Sequence, residues 1–514
     1  MRTSVFTSFL TAGFLTLTQA GPIVTRAEIE TCLTGAGVPI DAKNSADWRR
    51  DVAPFNTRLP YTPVAIAVPR NIEQIQKAVL CGKKLGIKVS AKSGGHSYAS
   101  FGFGGEDGHL IVQLDRMNEV TYDADTDVAT VQAGTRLGHL ASVLYRNYGR
   151  AVSHGTCPGV GISGHFAHGG FGFSSHTHGL AQDFVVGATV VLADGSIVEA
   201  SETQNPDLFW AIRGAGSNFG IIAKWRLRTF EAPSTLTFFS VDLKWTRTTA
   251  VAGLEAVERY ARDDMPREIN FRVSDYARGQ IGIEGLYYGT DAQMREAIAP
   301  LLSEAAPQAN ITRSETVTWI EAVTHYGLIP DVDVSEPSPQ ENFYAKSLTL
   351  NSLSGATAQA FVDYHFTNSS KLPFTRAVWF QLDMHGGYHS AISSKSNSST
   401  AYPHRDKLYI IQFYDRQLFG SFPRDGMNFL DGWVDAVVKT LPGGSAGVKG
   451  AVTQKGNEEA KEWGMYVNYA DASLDRDTAE KLYYGGNLKK LRQLKARYDP
   501  TDLFYYPQGI RPVA

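Results

Sequence analysis

Apolar positions between residues 58 and 230 recur with two alternating periods. Tyr61–Val68 reads as extended chain, with prolines near its start and Pro69 after it. Asn71 then caps a helix on which Ile72, Ile75 and Val79 share a face, and Gln74 three residues on predicts a capping box. The helix ends near Gly86. Ile87–Ala91 returns to a strand and runs into Ser93-Gly94-Gly95-His96-Ser97. Further strands are predicted at Leu110–Leu114 and Val128–Gln132. Ala188–Leu192 and Ile197–Ala200 flank Asp194-Gly195, a hairpin signal. The apolar run Phe209–Ile212, a glycine-rich stretch at 214–220 and Ile221–Phe230 close this block.

Glu231-Ala232-Pro233-Ser234 marks a boundary. From there to about 465 the pattern changes to longer alternating strands, including Asn270–Asp275, Ala377–Met384 and Lys407–Tyr414. Two helices stand out, one at roughly Thr249–Arg262. This predicts an antiparallel sheet with helices on one face. The chain returns to a helix at Asn487–Tyr498, with Leu488, Leu491 and Leu494 on one side, stopped by Pro500. The fold class is therefore α+β, in two domains. The first comprises residues 22–236 with the returning segment 466–514, and the second residues 237–465.

Composition narrows the function. With 43% hydrophobic and 20% charged residues, the chain affords a large core. A formal charge of -3 argues against a nucleic-acid partner. Residues 1–20 read as a secretory signal: Arg2, a mostly apolar Val5–Leu17, then Thr18-Gln19-Ala20 before Gly21. No later segment reads as a membrane span, so the product is expected outside the cell, as a monomer. Sequons at Asn310, Asn368 and Asn397 fit that route. The cysteines are Cys32, Cys81 and Cys157, an odd number that leaves one without an internal partner.

The chemistry gathers in two motifs. In Ser93-Gly94-Gly95-His96-Ser97, consecutive glycines free backbone N–H groups to curl around an anion such as a pyrophosphate. Alone, this is an ordinary tight turn. The second motif runs from His154 through Gly155-Thr156-Cys157-Pro158-Gly159-Val160-Gly161-Ile162-Ser163-Gly164 and on to Gly172. Such a density of glycine costs folding entropy, and close contact with a large flat cofactor would offset it. Cys157 is the unpaired candidate if Cys32 and Cys81 form a disulfide; otherwise it is a buried thiol acting as a small hydrophobe.

These two motifs and the tail Tyr466-Val467-Asn468-Tyr469-Ala470-Asp471 resemble the berberine-bridge-enzyme branch of the vanillyl-alcohol-oxidase flavoproteins, and within it the fungal oligosaccharide oxidases. The resemblance covers almost the whole mature chain. It implies FAD held covalently, with His96 on the 8α-methyl and Cys157 on carbon 6. Ser93, Gly94, Gly95, Ser97, Gly159, Gly161, Gly164, Ile222, Tyr466 and Asn468 complete the cofactor-binding set. It also implies a Cys32–Cys81 disulfide, in keeping with a secreted chain.

The same resemblance implies that Tyr469 removes the proton of an anomeric hydroxyl, assisted by Asp383 of the Gln381-Leu382-Asp383 strand. A phenol near its ordinary pKa of about 10 is a poor base at neutral pH, so it needs a proton acceptor or a stabilised phenolate. Tyr98, Arg272, Ser274, Trp379, Gln381 and Gln412 stand where these oxidases place sugar contacts. Arg272 and Ser274 lie on one face of an alternating strand. Arg272 resembles the glucose- and xylose-accepting members, whereas Ser274 and Phe171 depart from the glutamate and tyrosine of the glucooligosaccharide enzymes. The expected reaction oxidises the reducing-end anomeric carbon of a gluco- or xylo-oligosaccharide to a lactone. Hydride passes to the flavin, and dioxygen reoxidises it to hydrogen peroxide.

Gly214-Ala215-Gly216 with Gly220 mimics a dinucleotide fingerprint but lacks its spacing. His165, His168, His176 and His178 cluster without an acidic or Cys partner spaced to close a metal site, so no metal is expected. The rival readings are a same-fold sugar dehydrogenase using an acceptor other than oxygen, an oxidase of a specialised metabolite, and, remotely, a carbohydrate-binding protein without activity.

Overall fold

The change of hydrophobic period near residue 231 corresponds to a change of sheet. The structure, a computed structural model, describes residues 25–275, 280–451 and 462–513. The leader read at residues 1–20 lies outside them. Before the boundary, a three-stranded parallel sheet (Ala65–Ala67, Leu110–Gln113, Val89–Lys92) precedes a five-stranded antiparallel one. The latter runs Val120–Asp123, Val128–Gln132, Ile221–Arg228, Val185–Val191, Ile197–Ala200. After the boundary, one eight-stranded antiparallel sheet spans Leu236–Asp242 to Trp463–Gly464. The architecture is α+β, as expected.

Local chemistry explains the elements. Helix Ile72–Leu85 starts where the Asn71 side chain accepts from Gln74 N at 3.0 Å and stops at Gly86, in the left-handed region. The capping box differs from the expected one: Gln74 Oε1 reaches back to Arg70 N at 2.7 Å. The apolar run Phe209–Ile212 sits in helix Pro206–Ala215, where Pro206 is pre-set for the first helical position. The second half holds more helices than the two expected, among them Asp291–Ala305, Trp319–Gly327, Gly355–Asn368 and Asn428–Val438. Pro300 inside the first of these masks its signal, although Thr290 and Gln293 cap it reciprocally.

Strand alternation separates the core from the site. On Arg376–Met384 and Tyr409–Gln417, Phe380 and Phe413 pack toward the helices, both with ring centroids within 5.9 Å of Trp433. Trp379, Gln381, Gln412 and Tyr414 alternate with them and line a cavity instead. The tail returns through Leu488–Tyr498, with Leu488, Leu491 and Leu494 buried. It is locked by the buried pair Lys346 and Asp471, with Lys346 Nζ 2.5 Å from Asp471 Oδ2, and Lys346 Nζ also meets the half-exposed Asp431 Oδ1 at 2.8 Å. Cys32 and Cys81 form a disulfide between helices Arg26–Gly35 and Ile72–Leu85. Among the described residues, no helix is long and apolar enough to cross a membrane.

Candidate active site

The two glycine motifs meet backbone to backbone. A Cβ placed on Gly94 would lie 2.2 Å from Gly161 N, and one on Gly161 2.1 Å from Gly94 N. Only glycine permits that approach. Arg136, buried beneath, clamps both loops by donating from Nη1 to Gly94 O at 3.0 Å and Gly159 O at 2.5 Å. Ser93 Oγ donates to Ala133 O at 2.6 Å. The result is one cavity of about 490 Å³ that both His96 and Cys157 line. Ser93, Gly94, Gly95, Ser97, Gly161, Gly164, Ile222 and Asn468 share its wall.

Gly159 and Tyr466 stand behind that wall. Gly159 is pressed against Ser338, whose Oγ lies 2.1 Å from where a Cβ would be. The Tyr466 phenol oxygen accepts from Gly170 N at 3.0 Å and Asn468 Nδ2 at 2.9 Å.

His96 stacks on Phe55, centroid to centroid 3.7 Å at 25°. Desolvation pushes its imidazole down to about 4, so the ring is neutral and nucleophilic at ordinary pH. Cys157 is exposed to the cavity while protein encloses its other sides. That enclosure raises its thiol pKa, against the pull of nearby Arg272 and a hydrogen bond with Thr156.

At the other end, Tyr98, Arg272, Trp379, Gln381, Gln412 and Tyr469 line the same cavity. Gln412 Nε2 donates to Tyr98 OH at 2.8 Å, and Tyr98 stacks on Tyr469 at 5.8 Å and 17°. Trp379 stacks on Tyr414 at 4.3 Å. Burial, followed by the charge of Asp383, pushes the Tyr469 phenol well above its ordinary 10.

Asp383 and Ser274 sit one layer back. Asp383 Oδ1 pairs with Arg272 Nε at 3.0 Å across the strand register, and Oδ2 has no hydrogen-bond partner among the described residues. Burial raises the Asp383 pKa and Arg272 opposes the rise. Ser274 is buried directly opposite Gln381. Arg272, also stacked over Phe173 at 4.5 Å, holds the wall on that strand.

The four histidines take separate tasks. His165 Nε2 accepts from Gly155 N at 2.9 Å, His178 stacks on Phe230 at 4.1 Å, His176 is buried beside Arg267, and His168 lines the cavity. Sequence reasoning missed Phe55, Arg136, Glu341 and Tyr414. Tyr414 was findable, two positions from Gln412 on the same strand face; Phe55 and Arg136 carry no local signal.

The donor set fits a flavin: a glycine cradle, a neutral imidazole and a thiol on one cavity of ligand size. Comparison with known proteins agrees. Residues 63–201 match the FAD binding domain family, and 465–511 the family described as berberine and berberine like. A carbohydrate oxidase of Microdochium nivale is 57% identical over 98% of this chain and 99% of that protein. Its crystal structure, in complex with a substrate analogue, superposes with a TM-score of 0.90 over 95% of this chain and 100% of that one. The xylooligosaccharide oxidase of Thermothelomyces thermophilus is 47% identical over 96% of each chain. A structure addressing the functional roles of the 6-S-cysteinyl, 8α-N1-histidyl FAD in the Acremonium strictum glucooligosaccharide oxidase gives a TM-score of 0.89 at 42% identity, over 95% of this chain and 100% of that one. The chain is thus an FAD-linked oxidoreductase, and it belongs to the berberine-bridge-enzyme-like branch of the vanillyl-alcohol-oxidase flavoproteins.

Proposed function

We propose that the protein is a secreted oligosaccharide oxidase that converts the reducing-end anomeric carbon of gluco- or xylo-oligosaccharides to a lactone. The observation that carries this reading is one shared cavity: His96 and Cys157 stand on its wall with Tyr469, Trp379, Gln381 and Gln412. His96 and Cys157 are the residues that bond the FAD, and the two glycine loops hold it. When bound, the flavin accepts two electrons from the anomeric carbon and passes them to dioxygen, which leaves as hydrogen peroxide.

The chain itself binds the sugar and moves the proton. Trp379, backed by Tyr414, offers an aromatic face. Gln381 and Gln412 supply amides that orient hydroxyls. Tyr469 takes the anomeric hydroxyl proton while giving its own to Asp383, whose Oδ2 has no hydrogen-bond partner among the described residues. Arg272 keeps Asp383 available as a carboxylate through the 3.0 Å ion pair. The FAD-binding domain comprises residues 22–236 with 466–514 and the substrate-binding domain 237–465, with Tyr98 and Tyr469 of the first joining the sugar end; the division is supported by the eight-stranded sheet, whose first strand in the chain opens at Leu236. A secreted, glycosylated protein is supported by the apolar leader and by Asn310, an exposed sequon asparagine that opens an edge strand.

The test is aerobic peroxide release on cellobiose, xylobiose, maltose and N,N'-diacetylchitobiose, with free glucose as reference. Peroxide from the neutral disaccharides is expected. Silence on every sugar, or turnover only with a dye under nitrogen, overturns the proposal.

A further inference from the structure

A second, smaller cavity of about 30 Å³ lies behind the Cys157 loop. Thr156 lines both cavities and separates them. The smaller one is walled mainly by buried apolar side chains, including Phe173, Leu286 and Ala322. Besides Ser174 and Tyr326, whose phenol donates to Gly285 O, two nitrogen-bearing rings interrupt that wall, His154 and Trp319, 7% and 3% exposed. Their centroids are 6.2 Å apart. Neither His154 Nε2 nor Trp319 Nε1 has a hydrogen-bond partner among the described residues. Leaving such groups unsatisfied is costly, so each calls for a partner.

Their polarity is complementary. His154 Nδ1 lies 2.7 Å from Gly155 O, and a carbonyl only accepts, so Nδ1 carries the hydrogen. In the neutral ring, Nε2 is then a free acceptor. The indole N–H only donates. A single water placed between them would satisfy both, and the cavity of about 30 Å³ exceeds the roughly 10–15 Å³ that a water needs. The Thr156 hydroxyl, on the shared wall and next in sequence to Cys157, favours the Cys157 thiolate. His165, the other imidazole at this turn, already accepts from Gly155 N through Nε2 at 2.9 Å.

We propose that His154 is the general base for the attachment of Cys157 to the flavin, taking the thiol proton through Thr156 and a water held between His154 and Trp319. This rests on the reading of Cys157 as a flavin-bonding residue. In the step, the S–H bond breaks and a bond from sulfur to carbon 6 forms. The thiol proton passes to Nε2, the hydrogen displaced from carbon 6 leaves as a proton, and two electrons pass by way of the ring to dioxygen. With those two protons the dioxygen becomes hydrogen peroxide. Burial raises the thiol pKa and lowers that of the imidazole, so the transfer runs uphill. A bond made once per molecule tolerates a slow step.

The test is peptide mass mapping of the full-length protein, purified aerobically and sampled over time, for flavin on the Cys157 peptide. Thr156→Val and His154→Phe are compared with wild type. Retention of yellow colour after acid precipitation reports the His96 bond independently. The expected result is that both variants keep the His96 bond while the Cys157 bond forms at least about tenfold more slowly. Thr156→Val preserves side-chain shape and carries the test if His154→Phe does not fold. Wild-type rates of Cys157 attachment in Thr156→Val overturn the relay. A wild type without flavin on the Cys157 peptide overturns the bicovalent reading, and this inference with it.

Discussion

Replacing Gly94 with alanine isolates the contact between the two motifs. Neither Gly94 nor Gly161 has a left-handed φ, so alanine is conformationally allowed at position 94 and the cost comes from contact alone. The added Cβ would sit 2.2 Å from Gly161 N and 2.7 Å from its Cα, and ordinary contact begins at 3.4 Å. Both obstacles are backbone and cannot rotate away. The loops must therefore separate by about 1 Å, within a structure that resists overpacking at a cost of about 1–3 kcal/mol. His96 and Cys157 ride on those loops, and a misplacement of about 1 Å costs on the order of 10²-fold in rate. Gly94→Ala is expected to lose double flavin attachment, to melt several degrees lower and to drop kcat/KM about 10²-fold. Gly35→Ala is the control, since nothing lies within 4 Å of its Cβ. Flavin stoichiometry by peptide mapping, differential scanning fluorimetry and steady-state peroxide release supply the readouts. A Gly94→Ala protein with wild-type flavin content and melting temperature would refute the backbone-contact argument.

Three further outcomes are expected. Tyr469→Phe should lower kcat by roughly 10²–10⁴-fold while both flavin bonds form, as read by peroxide release beside peptide mapping; unchanged turnover would remove Tyr469 from the proton path. Arg272→Met deletes the group that opposes the rise of the Asp383 pKa, so the carboxyl ionises only at higher pH. The acid limb of the kcat profile should then move to higher pH, and a profile left in place would mean Asp383 does not set it. Replacing both Cys32 and Cys81 by serine frees two helices joined across 49 residues, at a cost of about 2–4 kcal/mol, visible in urea denaturation with activity retained at low temperature.

Much of this molecule is legible along one dimension because its signals are local. Caps, the Asp194-Gly195 hairpin and the leucines of the last helix each need only neighbours a turn or a strand step away. The paired motifs reveal the cofactor because two short strings of unusual composition carry it. Tertiary structure decides what depends on distant contact. Arg136 reads as any arginine until its guanidinium is seen joining Gly94 to Gly159. Phe55 is an unremarkable aromatic until it stacks on His96. Strand pairing alone sets Arg272 against Asp383 and Ser274 against Gln381, so alternation could say which residues share a face but not which of them reaches the cavity. Local propensity and motif chemistry act over a few residues and survive in sequence, whereas register, burial and ionic pairing arise only when segments far apart in the chain are packed together.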